Sequence, residues 1–389
     1  MIEKIKQLVE ASFDEIVEIR RFIHKNPELS FQEHKTSTYI KSLLTSWGIA
    51  YSDGIADTGI VVLLEGNNPS SRILALRADF DALPITEENE IDCCSVNKGV
   101  MHACGHDAHT ASLLGVVKIL NHLKQEWEGS VKFIFQPAEE MLPGGAQQMI
   151  KEGVLENPKV EKMLGQHVFP DLEVGKVGFR PGKYMASTDE LHITINGKGG
   201  HAALPEKYNN PLLAAAKLIL DLESSFEKEN DRPSVLAIGF IEGLGSTNVI
   251  PEQVKLKGTL RAMDENFRVL AHDKILAISN AIAQAHNIEI DFDIRKGYPC
   301  LVNDESLTKK SIAFAKQYLG EDNVIDLPIR MTAEDFSYYS HEVPSTFYRL
   351  GTANKSKGIT HGLHTSRFNI DEKSLKIGMG LMAYLAIKN

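Results

Sequence analysis

Residues 99–109 read GVMHACGHDAH and place three of the chain's 14 histidines, one cysteine and one aspartate in 11 positions. Imidazole, thiolate and carboxylate are the side chains that bind divalent transition metals, and imidazole also moves protons near neutral pH. The run is equally compatible with a polar loop whose histidines merely lie close, so other residues must decide. Similar groups recur at Asp79 and Asp81 in RADFDALP, Glu139 and Glu140 in FQPAEE, His167 in GQHVF and His364 in GLHTSRF. Each has an ordinary explanation when taken singly. A lone histidine is more often structural than a ligand. Paired glutamates after a strand often open a solvated helix, where the dipole favours them. A lone cysteine such as Cys104 packs as a small hydrophobe. A structural zinc knot would repeat C-x-x-C pairs, and the sequence has none.

These groups need a scaffold to bring them together. At 389 residues the chain exceeds a usual single domain, so two domains are expected. Hydrophobic content is 43% and charged content 24%, ordinary for a globular protein with a sizeable core. The net charge of −10 disfavours non-specific nucleic-acid binding and attraction to anionic membranes. No basic, aromatic-interleaved patch argues otherwise. Cys93, Cys94, Cys104 and Cys300 form no disulfide framework, which points to a reducing compartment. The charged, amphipathic start lacks the apolar core of a signal peptide, and no apolar run reaches the length of a membrane span. A cytoplasmic protein without a membrane span is expected.

Apolar residues at three- and four-residue steps predict a helix up to about residue 24, and a second helix ends near Gly48. GIVVLLEG, RILALRADFDALP and GSVKFIFQPAEE read as buried strands. HTASLLGVVKILNHLKQ is a helix directly after the histidine cluster, GGAQQMIKEGVL is another, and VEKMLGQHVFP is a short strand ending at His167. Such alternation indicates an α/β layer fold, in which ligands sit beyond the carboxyl ends of the strands. The pattern changes near residue 184. STDELHITING, NPLLAAAKLILDLESSFEK, PSVLAIGFIEG, EQVKLKGTLRA, NFRVLAHDKILAISNAIAQAHN and IEIDFDIRKG read β-α-β-β-α-β, the order of a ferredoxin-like unit. The predicted division is one α/β domain from residues 1–183 and 296–389, with a smaller α+β domain, 184–295, inserted in it.

Several motifs, in order from residue 21 to residue 368, carry a family resemblance. They are RRFIHKNPELSFQE, ALRADFDALP, GVMHACGHDAHTASLLG, FQPAEE, GGAQQMI, GKGGHAALP, NVIPE, GTLRA, AEDFSYY and GLHTSRF. Together they resemble the metal-dependent aminoacylase and carboxypeptidase family. The nearest branch is its amidohydrolases, which include hippurate hydrolases, indole-acetyl-amino-acid hydrolases and N-acetyl-diaminopimelate deacetylases. The resemblance implies a metallopeptidase-like catalytic α/β domain with an inserted ferredoxin-like dimerisation domain.

It also implies two divalent metal ions per subunit, with Cys104, His106, Glu140, His167 and His364 as ligands and Glu139 as general base. His201 matches a histidine of the small domain that reaches the partner subunit's active site, and Asn248 and Arg261 match groups that hold substrate polar or carboxylate atoms. Asp81 is expected to orient a ligand imidazole. Asp79 stands where other branches have a histidine ligand, so its role as ligand, orienter or structural group stays open. His102 and His109 are read as supporting or structural residues, and Cys93 and Cys94 as packing residues. Glu334 and Asp335 of AEDF receive no defined role.

The implied reaction is hydrolysis of an N-acyl or aminoacyl amino acid to a carboxylic acid and a free amino acid. Zinc, manganese, cobalt and nickel all suit the donor set. A homodimer acting on a small molecule, with no nucleic-acid or membrane partner, is expected. The competing readings are a dipeptidase or carboxypeptidase, and a scaffold protein that has lost its metal. The second predicts a broken ligand set, and none of the expected ligands is missing.

Overall fold

The computed structural model describes residues 1–226 and 232–389. They form two compact units. The first comprises Met1–Gly182, Val302–Pro328 and Asp335–Asn389, and the second Lys183–Leu301 and Ile329–Glu334.

In chain order, the first unit opens with helices α1 (Ile2–Lys25) and α2 (His34–Ser46). Strands β1 (Ser52–Ile55), β2 (Gly59–Glu65) and β3 (Ile73–Asp79) follow, then α3 (His106–His122), β4 (Ser130–Gln136) and α4 (Gly145–Lys151). Strands β5 (Lys162–Glu173) and β6 (Val177–Phe179) complete this segment. Strand β7 (Gly182–Met185) occurs where the chain passes into the second unit.

That unit holds β8 (Asp189–Asn196), β9 (Gly200–His201), α5 (Pro211–Phe226), β10 (Ser234–Glu242) and β11 (Val249–Ile250). It continues with β12 (Gln253–Ala262), α6 (Glu265–His286) and β13 (Glu289–Lys296). After β14 (Leu301–Asn303) the chain adds α7 (Glu305–Leu319), β15 (Val324–Asp326), α8 (Ser337–Glu342), β16 (Ser345–Ala353) and α9 (Ser374–Lys388).

The large sheet has the order β1-β2-β4-β3-β5-β16-β6-β15. Its centre, β4-β3-β5-β16, is parallel. Strands β3, β4 and β16 are buried along their whole length, which is why β3 and β4 read as buried, mainly apolar runs rather than as alternations. Helix α3 is also buried on nearly every side. It packs with α1 and α9 into one core through Ile16, Ile23, Leu113, Val117, Met379 and Met382. Strand β5 runs beyond His167 to Glu173, against the expectation of a short strand ending at the histidine. The reason is β16, which pairs along it in register from Ser345↔Met163 to Gly351↔Phe169.

In the second unit β10-β12-β8-β13 form an antiparallel sheet. Helices α5 and α6 pack on it through Leu218, Leu222, Phe267 and Ile275 against Leu191, Ile193 and Leu256. Among the described residues this is the β-α-β-β-α-β order read from the sequence. The last two positions of the helix expected through Lys228 lie outside the described residues. No helix among the described residues is long and apolar enough to cross a membrane.

Candidate metal centre

The carboxyl ends of the parallel strands deliver the groups. Strand β3 ends at Asp79, with Asp81 two residues beyond; β4 ends just before the loop holding Glu139 and Glu140; β5 carries His167. Cys104 and His106 flank the start of α3, and His364 sits in the loop between β16 and α9. Gly105, between Cys104 and His106, has φ 81°, and a Cβ there would lie 2.4 Å from Val168 Cγ2. Only glycine permits both the left-handed backbone and that approach. His364 is also left-handed at φ 59°, and its N–H donates to the Ala103 carbonyl at 2.9 Å. The two loops that carry Cys104 and His364 are thereby tied together.

The donor atoms converge. Cys104 Sγ is 3.4 Å from His167 Nε2, and His364 Nε2 is 3.2 Å from Glu140 Oε1. His106 Nε2 is 3.9 Å from Glu140 Oε1 and 4.0 Å from Glu139 Oε2. Three overlapping sets each have their donors within 4.8 Å of one another: Cys104, His106 and His167; Cys104, Glu140 and His364; His106, Glu139 and Glu140. Ligands about 2.0–2.3 Å from a central ion have such separations. Overlapping sets suit two adjacent positions.

The imidazoles are held in the tautomer a metal needs. His167 Nδ1 faces the Val168 carbonyl at 2.7 Å, which only accepts, so Nδ1 carries the proton and Nε2 offers its lone pair. His106 Nδ1 is 3.0 Å from Asp81 Oδ1, and its buried Nε2 makes no hydrogen bond. A buried polar atom without a hydrogen bond is costly. Here it faces carboxylates, and a cation bound there would satisfy it. The donor set therefore fits divalent metal.

The electrostatics agree. Burial first, then the carboxylates of Glu140, Glu139 and Asp79, push the Cys104 thiol well above its ordinary value. Burial lowers His106, but Asp79, Asp81 and Glu140 outweigh it and raise the ring to about 10. Burial, then Arg349 and His109, push His167 well down, so it stays neutral. The cluster is rich in negative charge and short of cations.

Asp79 and His109 form a second layer. The Asp79 carboxylate meets Arg77 Nη1 at 2.5 Å and His109 Nδ1 at 2.5 Å. Burial pushes Asp79 up, yet Arg77, His106 and His109 together hold it well below the carboxylate range. His109 Nε2 accepts from the Val168 N–H at 2.8 Å. Asp79, His106 and His109 also lie within 4.8 Å of one another, but both ring nitrogens of His109 are already committed. His102 is buried with neither ring nitrogen hydrogen-bonded, and burial pushes it down to about 4.

His201, Asn248 and Arg261 belong to the second unit. His201 is exposed on β9 and pairs with Val249 on β11, and Ala202 N–H donates to the Asn248 carbonyl at 3.0 Å. Arg261 lies on β12 opposite Val235. Cys93 and Cys94 are free thiols. Cys93 is buried beside Arg20, and Cys94 donates to the Asn89 carbonyl.

Residues 75–388 match the family described as peptidase family M20/M25/M40. The chain belongs to this family. Thermostable carboxypeptidase 2 of Saccharolobus solfataricus is 35% identical over 393 residues, covering 100% of this chain and 98% of that protein. The IAA-amino acid hydrolase ILR1-like 5 of Arabidopsis thaliana is 38% identical over 384 residues, covering 97% of this chain and 87% of that protein. The YxeP protein of Bacillus subtilis, a dinuclear metal-binding peptidase of the M20 family, superposes with a TM-score of 0.84 at 32% identity, covering 97% of this chain and 98% of that one.

The M20 chain described here is thus a hydrolase of amide bonds, built as a mixed α/β protein around a large, largely parallel sheet. Three buried groups at this site have roles that the sequence leaves undefined. Arg77 joins Asp79 to Asp335, which it meets at 2.6 Å. The Asp335 N–H donates to Glu139 Oε1 at 3.3 Å. Glu33 is the third. One signal was a charge, Arg77, inside an apolar strand; the others were acidic residues inside motifs whose neighbours looked more reactive.

Proposed function

We propose that this M20 hydrolase cleaves N-acyl amino acids to a carboxylic acid and a free amino acid, with Cys104, His106, Glu140, His167 and His364 holding two divalent ions. The observation that carries the reading is the convergence of all five side chains, with Glu139 beside them, in one unit. Bound divalent ions lower the pKa of water and polarise the amide carbonyl. Glu139 takes the proton from the attacking water and hands it to the leaving amine, work that contributes about 10²–10⁴-fold. Its carboxylate is buried, and the Asp335 N–H fixes one oxygen. Asp81 holds the His106 ring with Nε2 facing inward. His201 is assigned as donor to the oxyanion that develops in the partner subunit's site, and Asn248 and Arg261 as groups for the substrate's polar and carboxylate atoms.

The thiolate of Cys104 suits zinc or another borderline-soft ion, and the mixed nitrogen and carboxylate donors also suit manganese, cobalt or nickel. The second unit, taken as a dimerisation domain, exposes Leu213, Leu220, Phe240, Ile241 and Leu244. Such apolar surface suits a homodimer. The free thiols of Cys93, Cys94 and Cys104 suit the cytoplasm.

The test is amino acid release from a panel: hippurate, N-acetyl amino acids, N-acetyl-diaminopimelate, indole-acetyl-alanine and dipeptides. The protein is stripped of metal, then reconstituted with each ion, with Glu139→Ala as control. Release from acyl amino acids that needs metal and vanishes in the variant is expected. Release from dipeptides alone would move the assignment to a peptidase, the activity named for the carboxypeptidase relative. Metal-independent release would overturn the reading.

A further inference from the structure

The segment between α1 and α2, NPELSFQE, buries Ser30 and Glu33 beside the metal centre and contributes none of the proposed ligands. Glu33 is fully buried. Its Oε1 accepts from the Phe31 N–H at 2.9 Å and from the Ala138 N–H at 2.9 Å, and its Oε2 accepts from Thr58 Oγ1 at 3.1 Å. Ala138 immediately precedes Glu139 and has φ 53°, a left-handed conformation that is unfavourable for a residue with a Cβ. Such a conformation persists only when its surroundings fix it.

Both peptide groups of Ala138 are fixed. Its N–H is bonded to Glu33, and its carbonyl accepts from the Gly145 N–H at 2.8 Å. On the far side of Glu139, the Glu140 N–H donates to Asp81 Oδ2 at 2.9 Å, and Ser30 Oγ donates to the same oxygen at 2.7 Å. Two residues of one segment therefore brace the backbone on either side of Glu139, Glu33 directly and Ser30 through Asp81.

We infer that Glu33 is a positioning residue for hydrolysis, holding the left-handed turn at Ala138 that aims the Glu139 carboxylate. The inference rests on the reading of Glu139 as general base. The role needs an acceptor at Oε1, not a charge. Burial, then the Asp81 carboxylate, push the Glu33 carboxyl up to about 7, so the environment accommodates a neutral group. Glutamine keeps Oε1 as acceptor and turns its amide toward the Thr58 hydroxyl, which accepts. Alanine removes the acceptor, and aspartate withdraws it by one methylene. Displacing a reacting group by about 1 Å can cost about 10²-fold.

The experiment compares Glu33→Ala, Glu33→Asp and Glu33→Gln in the full chain reconstituted with zinc, on whichever panel substrate the parent cleaves. For each variant kcat, KM, bound zinc and Tm are measured, with Glu139→Ala alongside. Glu33→Ala and Glu33→Asp are expected to lose about 10–100-fold in kcat, with KM within about twofold and zinc content unchanged. Glu33→Gln is expected to stay within about threefold of the parent. Should Glu33→Ala fail to fold, Glu33→Asp carries the comparison. Parental kcat in the aspartate variant overturns the inference. So does a glutamine variant as slow as the aspartate one, or a loss that tracks zinc content or folded fraction. An active Glu139→Ala enzyme removes the base assignment itself. An inactive Glu139→Ala with unimpaired Glu33 variants removes only the positioning role.

Discussion

The N–H of Val168 donates to His109 Nε2 at 2.8 Å. This bond settles what a histidine in the densest part of the motif does. Because Nε2 accepts, Nδ1 must carry the ring's proton, and it donates that proton to Asp79. His109 is neutral, locked in one tautomer and fastened to the residue that follows His167. Burial, despite Asp79, also pulls its pKa below the ordinary value.

His109→Ala should therefore weaken metal binding without removing a ligand. The Val168 N–H would be buried without an acceptor, at a cost of about 1–3 kcal/mol. His167 would lose its backbone anchor, and metal affinity should fall about 10–100-fold. Zinc titration with a competing chelator, together with Tm, checks both effects. Outright loss of one metal equivalent at unchanged Tm would instead make His109 a ligand.

Metal affinity should rise with pH. Without metal, Cys104 keeps its proton because burial and three nearby carboxylates disfavour the thiolate. His106 keeps its proton because Asp79, Asp81 and Glu140 outweigh its burial, to about pH 10. Binding must expel these protons, so each one contributes about tenfold in affinity per pH unit. Calorimetry in buffers of different ionisation heat should count proton release on zinc binding. Cys104→Ser should release about one proton fewer and bind zinc more weakly. An affinity independent of pH between 6 and 8, the range around neutrality in which both groups are expected to carry protons, would contradict the assignment of ligands.

The side chains proposed to bind metal stand out in the sequence because their chemistry is concentrated. Cys104 and His106 share one loop, Glu140 follows a strand, and the alternation of strands and helices makes strand ends converge. The β-α-β-β-α-β order of the second unit was legible for a similar reason, since its half-buried strands alternate. The supporting partners were not legible. Glu33 and Ala138 are 105 positions apart, and Arg77 and Asp335 are 258 apart. Nothing local marks either pair. A buried carboxylate that braces a backbone amide has the same sequence appearance as a solvated one. The end of β5 was missed because its length is set by pairing with β16, which lies far along the chain.

Gly105→Ala should damage stability and the metal centre together. The new Cβ would lie 2.4 Å from Val168 Cγ2 and force a side chain into a left-handed backbone at φ 81°. Strain and overpacking each cost about 1–3 kcal/mol. Since Cys104 and His106 flank the position, any relaxation moves two of the proposed ligands. A lower denaturation midpoint with reduced zinc stoichiometry is expected. A variant with parental stability and full zinc would show that Val168 yields freely.

The second unit should carry an acid-sensitive contribution to stability. Asp189 is buried at the start of β8, where Arg268 and His272 of α6 bond its carboxylate. Burial pushes its pKa up, but His272 and Arg268 outweigh that and hold it below 3.8. A carboxyl depressed in the folded state stabilises the fold at pH above its unfolded pKa, and the contribution is lost as pH falls through the folded value. The loss should therefore begin near pH 4 and deepen below it, with the full contribution present at neutrality. Arg268→Ala leaves Asp189 buried with the His272 ring and the Gly297 N–H as its remaining partners. Breaking a buried ion pair costs about 3–5 kcal/mol. Urea denaturation followed at pH 7 should show a lower midpoint in the variant, and the gap between parent and variant should narrow as the pH falls below 4. A gap that stays constant down to pH 2 would mean that Arg268 stabilises the unit by packing its stem rather than by pairing with Asp189.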